Sequence, residues 1–137
     1  AQEACPDNVI LRKGHVLTDT VTDYEMRELY QNCAAVLVLL NETVQPSGQT
    51  VALQGMSCGR PVILTKTKGL WDRNIIRNRV NCLLVKPSSK NEVISVMRSL
   101  VKDSKQYEGV GREARKTVRS HYSVKQFSEN LLKIASL

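Results

Sequence analysis

Apolar residues gather along this chain in two alternating rhythms. Four short runs, Val9–Leu11, Ala35–Leu40, Val62–Thr65 and Cys82–Val85, hold few polar positions, and the second is apolar throughout. That is the pattern of parallel strands covered on both faces. Between and after these runs, apolar residues recur at helical spacing. Met26, Leu29, Tyr30 and Cys33 form one stripe, Val93, Val96, Met97, Leu100 and Val101 a second, and Phe127, Leu131 and Ile134 a third. Each stripe follows a hydroxyl residue with Glu or Gln three places on: Thr22-x-x-Glu25, Ser89-x-x-Glu92 and Ser123-x-x-Gln126. In such a pair the hydroxyl accepts from an amide of the first turn while the longer side chain reaches back, so two otherwise orphaned amides are satisfied. Tyr107, Val110 and Ala114 predict one more helix. Gly109 and Gly111 weaken it by about 1 kcal/mol each relative to alanine.

Strand, helix, strand, helix, strand, connection, strand and then a run of helices is the order of an α/β fold, a parallel sheet with helices on both faces. Lys86-Pro87-Ser88 reads as the short turn from the last strand into the next helix, and no internal repeat or linker interrupts the pattern. The 137 residues, 42% of them apolar, suffice for one domain with a core of its own.

Other classes recede on composition. No run approaches the roughly 20 apolar residues that cross a bilayer, and the stretch Ala1–Asp7 is too polar and short for a secretory signal, so a cytoplasmic protein is expected. Cys5, Cys33, Cys58 and Cys82 form no C-x-x-C pair, and His15 and His121 stand at no metal-ligand spacing beside them, which predicts reduced thiols and no metal site. The formal charge of +7 suits a polyanionic ligand, an anionic membrane surface or a nucleic acid, or simply a solvated basic face. Scattered basic residues and 4% aromatic content argue against a stacking platform for single-stranded nucleic acid.

The stretch Gln45-Pro46-Ser47-Gly48-Gln49-Thr50-Val51-Ala52-Leu53-Gln54-Gly55-Met56-Ser57-Cys58-Gly59-Arg60-Pro61-Val62 carries the candidate chemistry. It opens just after a buried strand. A proline, a serine able to cap and a glycine precede an apolar helix, so free amides and the positive end of the helix dipole should face outward there. That is an anion site, placed beyond the carboxyl ends of the strands where open α/β sheets bind ligands. The alternative is an ordinary strand-to-helix turn.

This stretch resembles the donor-site signature of the group 1 glycosyltransferases, retaining enzymes of the GT-B fold. Its usual form is E-x-x-G-x-x-x-x-E-A-M-A-x-G-x-P-V, and Gly48, Met56, Gly59, Pro61 and Val62 recur from it. The similarity runs along nearly the whole chain. Asn8-Val9-Ile10 with Gly14-His15-Val16 is similar to the family's strand and following loop. Glu28, Leu29, Tyr30 and Cys33-Ala34 are similar to its E-L-x-x-x-Y-x-x-A helix. The stretch 65–72 resembles T-x-x-G-G-x-x-E, and 80–85 resembles V-N-G-L-L-V.

The resemblance implies a domain over residues 1–137 that is the C-terminal, nucleotide-sugar-binding, Rossmann-like half of a GT-B enzyme. It implies hexosyl transfer to a sugar or lipid-linked acceptor, with Ser47, Gly48, Gln49, Thr50, Gln54, His15 and Asp72 as donor contacts. No metal or further cofactor is implied, because the nucleotide-sugar is itself the substrate. Pro46 and Gln54 replace the two glutamates of the signature, so no catalytic residue is assigned. Gln54 retains the ability to hydrogen-bond a ribose hydroxyl. Ser47, Gln49 and Glu42 are alternatives to the first carboxylate, Glu42 otherwise being a solvated loop residue. Asp72 otherwise caps a helix, and His15 is otherwise a surface histidine. Lys66, Lys68, Arg73 and Arg77 form either a diphosphate-binding cluster or a solvated one. Cys82 replaces a glycine as a small buried residue.

The family's second domain begins with a strand, helix and strand that have no counterpart here, and the N-terminal acceptor domain is missing as well. The expected partners are therefore a nucleotide-sugar, that missing domain, a second copy through an unpaired sheet edge, and a membrane surface met peripherally. Nucleic acid is not among them. A non-catalytic nucleotide- or polyanion-binding module of the same fold is the second functional expectation.

Overall fold

Three of the four apolar runs become the strands of one parallel sheet in the computed structural model, which describes residues 7–10 and 21–136. The elements in order are α1 (Asp23–Asn32), β1 (Val36–Val38), α2 (Gln49–Ser57), β2 (Val62–Thr65), β3 (Leu83–Val85), α3 (Lys90–Lys102), α4 (Ser104–His121) and α5 (Val124–Ala135). The sheet order is β1-β2-β3. The run Val9–Leu11 departs from expectation: Val9 and Ile10 belong to no strand, Ile10 is 84% exposed, and Leu11 lies outside the described residues. No described strand lies on the outer edge of β1.

Register explains why the runs are apolar. Val36 and Val38 pair with Val62 and Leu64, while Ile63 pairs with Leu83 and Thr65 with Val85. Neighbouring residues on a strand point to opposite faces, so a strand buried on both sides has no position left for a polar side chain. One face packs Val36, Val38, Val62 and Leu64 against Tyr30 of α1, Ala52 and Met56 of α2 and Ala114 of α4. The other packs Ile63, Leu83 and Val85 against Leu100 of α3 and Val110 of α4. Helices thus cover both faces, and α4 contributes to each.

The three capping pairs fare differently. Thr22 and Glu25 make the full reciprocal box at the start of α1. Ser123 accepts from the Gln126 amide at 3.2 Å, but the Gln126 side chain donates to Asn130 instead of reaching back. Ser89 makes no side-chain cap at all. Glu92 accepts from the Lys86 amide at 2.6 Å, tying α3 to the residue that follows β3. A backbone donor outside the helix thereby outcompetes the local pairing. The apolar stripe of α5 finds no core among the described residues: Phe127, Leu131 and Ile134 are all exposed.

Behind β3, Asn81 is 2% exposed and uses its whole amide. It donates to the Ile75 carbonyl at 2.8 Å and to Thr117 Oγ1 at 3.0 Å, and accepts from the Arg77 amide at 2.8 Å. Cys82 beside it is fully buried, with its thiol directed to the Val62 carbonyl at 3.2 Å.

Burial raises the Cys82 thiol from 9.0 to about 12. In the unfolded chain the same thiol ionises near its ordinary value. Its contribution to stability is therefore complete below pH 9 and is lost as pH climbs from 9.0 toward 12. Native-state labelling with a thiol reagent at pH 8 should modify the half-buried Cys33 and Cys58 well before Cys82. Fast labelling of Cys82 in folded protein would contradict this burial.

Candidate functional site

The chain leaves β1 and enters α2 through Gly48, which is the N-cap residue at φ 72°, ψ 5°. Two independent constraints fix glycine there. The left-handed conformation disfavours any other residue, and a Cβ would lie 2.5 Å from Val38 Cγ1 and 3.3 Å from Leu40 Cδ1. Ser47, expected as the cap, precedes the N-cap Gly48 by one residue and does not cap the helix. The consequence favours a ligand: the first bond of α2 is Ala52 N–H to the Gly48 carbonyl at 3.0 Å, and no protein oxygen among the described residues accepts from the amides of Gln49, Thr50 or Val51. The first turn also has no acidic residue. Three orphan donors and the dipole of a nine-residue helix converge on one place.

Loops after β1 and β2 are laced together beside this turn. The Leu40 amide donates to Thr65 Oγ1 at 3.0 Å, and the Gly69 amide to the Thr43 carbonyl at 2.7 Å. A Cβ on Gly69 would meet the Gln45 carbonyl oxygen at 2.3 Å, so the two segments touch through backbone. Glu42 is no free loop carboxylate: it accepts from the Lys68 amide at 2.7 Å and the Thr43 amide at 3.2 Å. Arg73 donates to the Lys68 carbonyl at 2.6 Å and so stabilises its own loop. Lys66 and Lys68 are exposed and form no ion pair among the described residues.

Asp72 neither caps an α-helix nor stands free. It sits at φ 42° in a turn, its carbonyl accepting from Ile75 and Ile76. Its carboxylate accepts from the Tyr122 hydroxyl at 3.2 Å, tying this loop to the end of α4. Burial, followed by the Asp72 charge, pushes the Tyr122 phenol up to about 12. Trp71 packs against the core beneath the connection. His15 lies outside the described residues.

Gln54 is exposed on the second turn of α2, where its Oε1 accepts from the Tyr30 hydroxyl of α1 at 3.1 Å. A groove of about 280 Å³ between the two helices is lined by Asp23, Arg27, Tyr30, Gln54 and Ser57, among others. The Tyr30–Gln54 pair and the Asn81 hub were not anticipated from sequence, since packing brings their partners together. The only hint was the recurrence of Tyr30 and Asn81 within similar stretches.

A family profile described as glycosyl transferases group 1 matches residues 2–103, most of the chain. The chain belongs to this family. No curated protein matches the sequence of this glycosyltransferase chain closely. Among solved structures, Anabaena Alr3699/HepE in complex with UDP superposes with a TM-score of 0.66 at 21% identity, covering 80% of this chain and 29% of that one. The C-terminal domain of the group 1 family protein LpcC from Francisella tularensis gives 0.65 at 23% identity, covering 77% and 51%. Sucrose-phosphate synthase from Thermosynechococcus elongatus gives 0.68 at 20% identity, covering 84% and 28%. The likeness is one of fold, the Rossmann-like half of a GT-B enzyme, and the chain spans about half or less of each of these structures.

The structure also separates the signature of the glycosyltransferase chain into two kinds of residue. Met56, Pro61 and Val62 are buried. Gly59 stands at φ 74° against Gly111 of α4. These positions hold α2 in place. Gly48 alone of the five lies at the carboxyl end of β1, against Val38 and Leu40, and counted back from Gly59 it precedes the signature's own glycine position, Gln49, by one residue.

Proposed function

We propose that this glycosyltransferase chain binds the nucleoside diphosphate of an activated sugar at the N-terminus of α2, for transfer of a hexose to a sugar or lipid-linked acceptor. The observation that carries the reading is the set of free amides on Gln49, Thr50 and Val51 at the carboxyl end of β1. Such donors bind phosphate without a metal, which suits a site whose positive charge comes from a helix end and nearby lysines. Alr3699/HepE has been solved with UDP-glucose. In this reading Ser47, Gly48, Gln49 and Thr50 hold the diphosphate and Gln54 the ribose, while Asp72 supports the loop through Tyr122. An acceptor domain, N-terminal in the whole enzyme, supplies the opposite wall of a cleft at the cytoplasmic face of a membrane.

Titration of the protein with UDP and GDP tests this. Gly48→Ala forces a side chain into the left-handed region and toward Val38, displacing the first turn of α2. Affinity should fall by about tenfold or more, the loss expected when charge-assisted hydrogen bonds to phosphate are misaligned. A melting curve separates this from unfolding. Unchanged affinity in a folded variant would remove the helix N-terminus from the site.

A second reading, a non-catalytic nucleotide- or polyanion-binding module, draws on Pro46 and Gln54 standing where the signature has carboxylates. Nucleotide binding without sugar transfer from any common donor in the whole protein would favour it.

A further inference from the structure

We infer that Cys33 and Cys58 form a dithiol site at the amino ends of the strands, open to oxidation to an intramolecular disulfide by a small-molecule disulfide such as oxidised glutathione. The site is separate from nucleotide binding. Helix α2 begins at the carboxyl end of β1, where that reading places the ligand, and ends at the opposite edge of the sheet, where Cys58 lies.

Topology brings the two cysteines together. Cys33 is the C-cap residue of α1 and Cys58 that of α2. The helices feed two neighbouring parallel strands, in a register that pairs Val36 with Val62, and the Val36 amide donates to the Pro61 carbonyl at 3.0 Å. Segments that enter a sheet side by side leave their helices side by side. Gly55 closes the distance further. A Cβ there would meet Val36 Cγ2 at 2.9 Å and Val62 Cγ2 at 3.2 Å, so the last turn of α2 sits over the seam between β1 and β2. The two helix ends are joined at two points: the Tyr30 hydroxyl donates to Gln54 Oε1 at 3.1 Å, and the Arg60 guanidinium donates to the Gln31 carbonyl.

Both thiols are free and half-buried against one core cluster, whereas Cys82 is fully buried. The Cys33 thiol donates to the Tyr30 carbonyl at 3.3 Å, and Cys58 Sγ receives only a long contact of 4.0 Å from Ser57 Oγ. Charge links the two as well. Burial raises the Cys33 thiol, the Arg60 guanidinium opposes that, and a Cys58 thiolate raises it further. Arg60 Nε is buried with no partner among the described residues, so this cation keeps a donor for a thiolate.

The thiolate of one cysteine attacks a sulfur of oxidised glutathione and expels one glutathione thiolate, leaving a mixed disulfide. The second cysteine thiolate attacks the protein sulfur of that bond and expels the other glutathione. One S–S bond breaks in the small molecule and one forms in the protein. Two protein thiols are oxidised, and their protons end on two glutathione thiols.

The test equilibrates the chain, in a Cys5→Ser background, with mixtures of reduced and oxidised glutathione, followed by acid quench, alkylation and mass spectrometry. Trypsin leaves both cysteines in one peptide, 28–60. That peptide should be two hydrogens lighter and closed to alkylation until reduced, while Cys82 stays reduced. Oxidised protein should also unfold at a higher urea concentration than reduced protein. Cys33→Ser and Cys58→Ser should each carry one glutathione on the remaining thiol, and only at oxidised glutathione levels about tenfold higher or more, because the intramolecular second step is absent. Glutathione on both cysteines of the folded wild type, thiols that stay free throughout, or a disulfide-linked dimer would each show that the two sulfurs do not meet, and would overturn the inference. Those readings come from the wild-type pair, so they stand even where a serine variant fails to fold.

Discussion

Gly111→Ala should destabilise the fold by about 2–4 kcal/mol, although alanine is the better helix former. A Cβ at this position would meet the Gly59 carbonyl oxygen at 2.1 Å and the Pro61 ring at 3.4 Å. Neither neighbour yields easily, because Gly59 already sits at φ 74° and Pro61 leads directly into β2. The helix α4 would have to lift away from α2, opening the core around Ala52, Met56 and Ala114. Gly109 in the same helix is the control. A Cβ there meets only the end of the Arg112 side chain at 3.9 Å, so Gly109→Ala should stabilise by up to about 1 kcal/mol through helix propensity alone. Urea unfolding of the two variants should move the midpoint in opposite directions at similar slope. A shift of the same sign for both would show that α4 does not press on Gly59 as described.

Asn81→Leu should cost about 2–3 kcal/mol, because it removes three hydrogen bonds of a buried side chain at once. The Ile75 carbonyl and the Arg77 amide depend on this one side chain, and Thr117 Oγ1 loses a donor from it. Thr117→Val should be far milder, near 1 kcal/mol, since it removes a single contact of the hub. The double variant should then be little worse than Asn81→Leu alone, a coupling that a chemical-denaturation cycle measures directly. Full additivity would mean that Asn81 and Thr117 do not act as one network. Loss of the hub would also loosen the connection that carries Asp72 and Arg73.

These two sites bear on how the signature is to be understood. Its glycine at Gly59 offers its carbonyl as the surface on which α4 packs. The asparagine of the V-N-G-L-L-V-like stretch is a bracket between a loop and a helix rather than a contact for the donor. Motif positions can therefore recur because they hold the helix that presents the site, without touching a ligand. Gly48 differs, since its left-handed φ and its contact with Val38 bring the free end of α2 to the strand ends.

The elements themselves were legible from the chain. Apolar runs announce the strands and stripes at helical spacing announce α1, α3 and α5, because strand and helix periodicities are local properties of the backbone; burial on both faces holds for β2 but not for β1, where Leu37 is 40% exposed. The turn into α2 was legible too, since a glycine before an apolar helix is a local signal. The partners of each polar group were not legible. Whether Glu92 accepts from Ser89 or from Lys86, whether Glu42 stays in solvent or accepts from Lys68, and whether the Gln54 amide meets Tyr30 all depend on which groups the fold brings side by side. The same holds for Gly111, whose cost as a helix residue is visible locally while its reason, a carbonyl 52 positions earlier, is not. Sequence thus determined where the helices and three of the four expected strands lie and that a glycine turn joins β1 to α2. The tertiary structure decided which side chains that end leaves free, because a hydrogen-bonding group is available only if no neighbour brought in by the fold has already taken it.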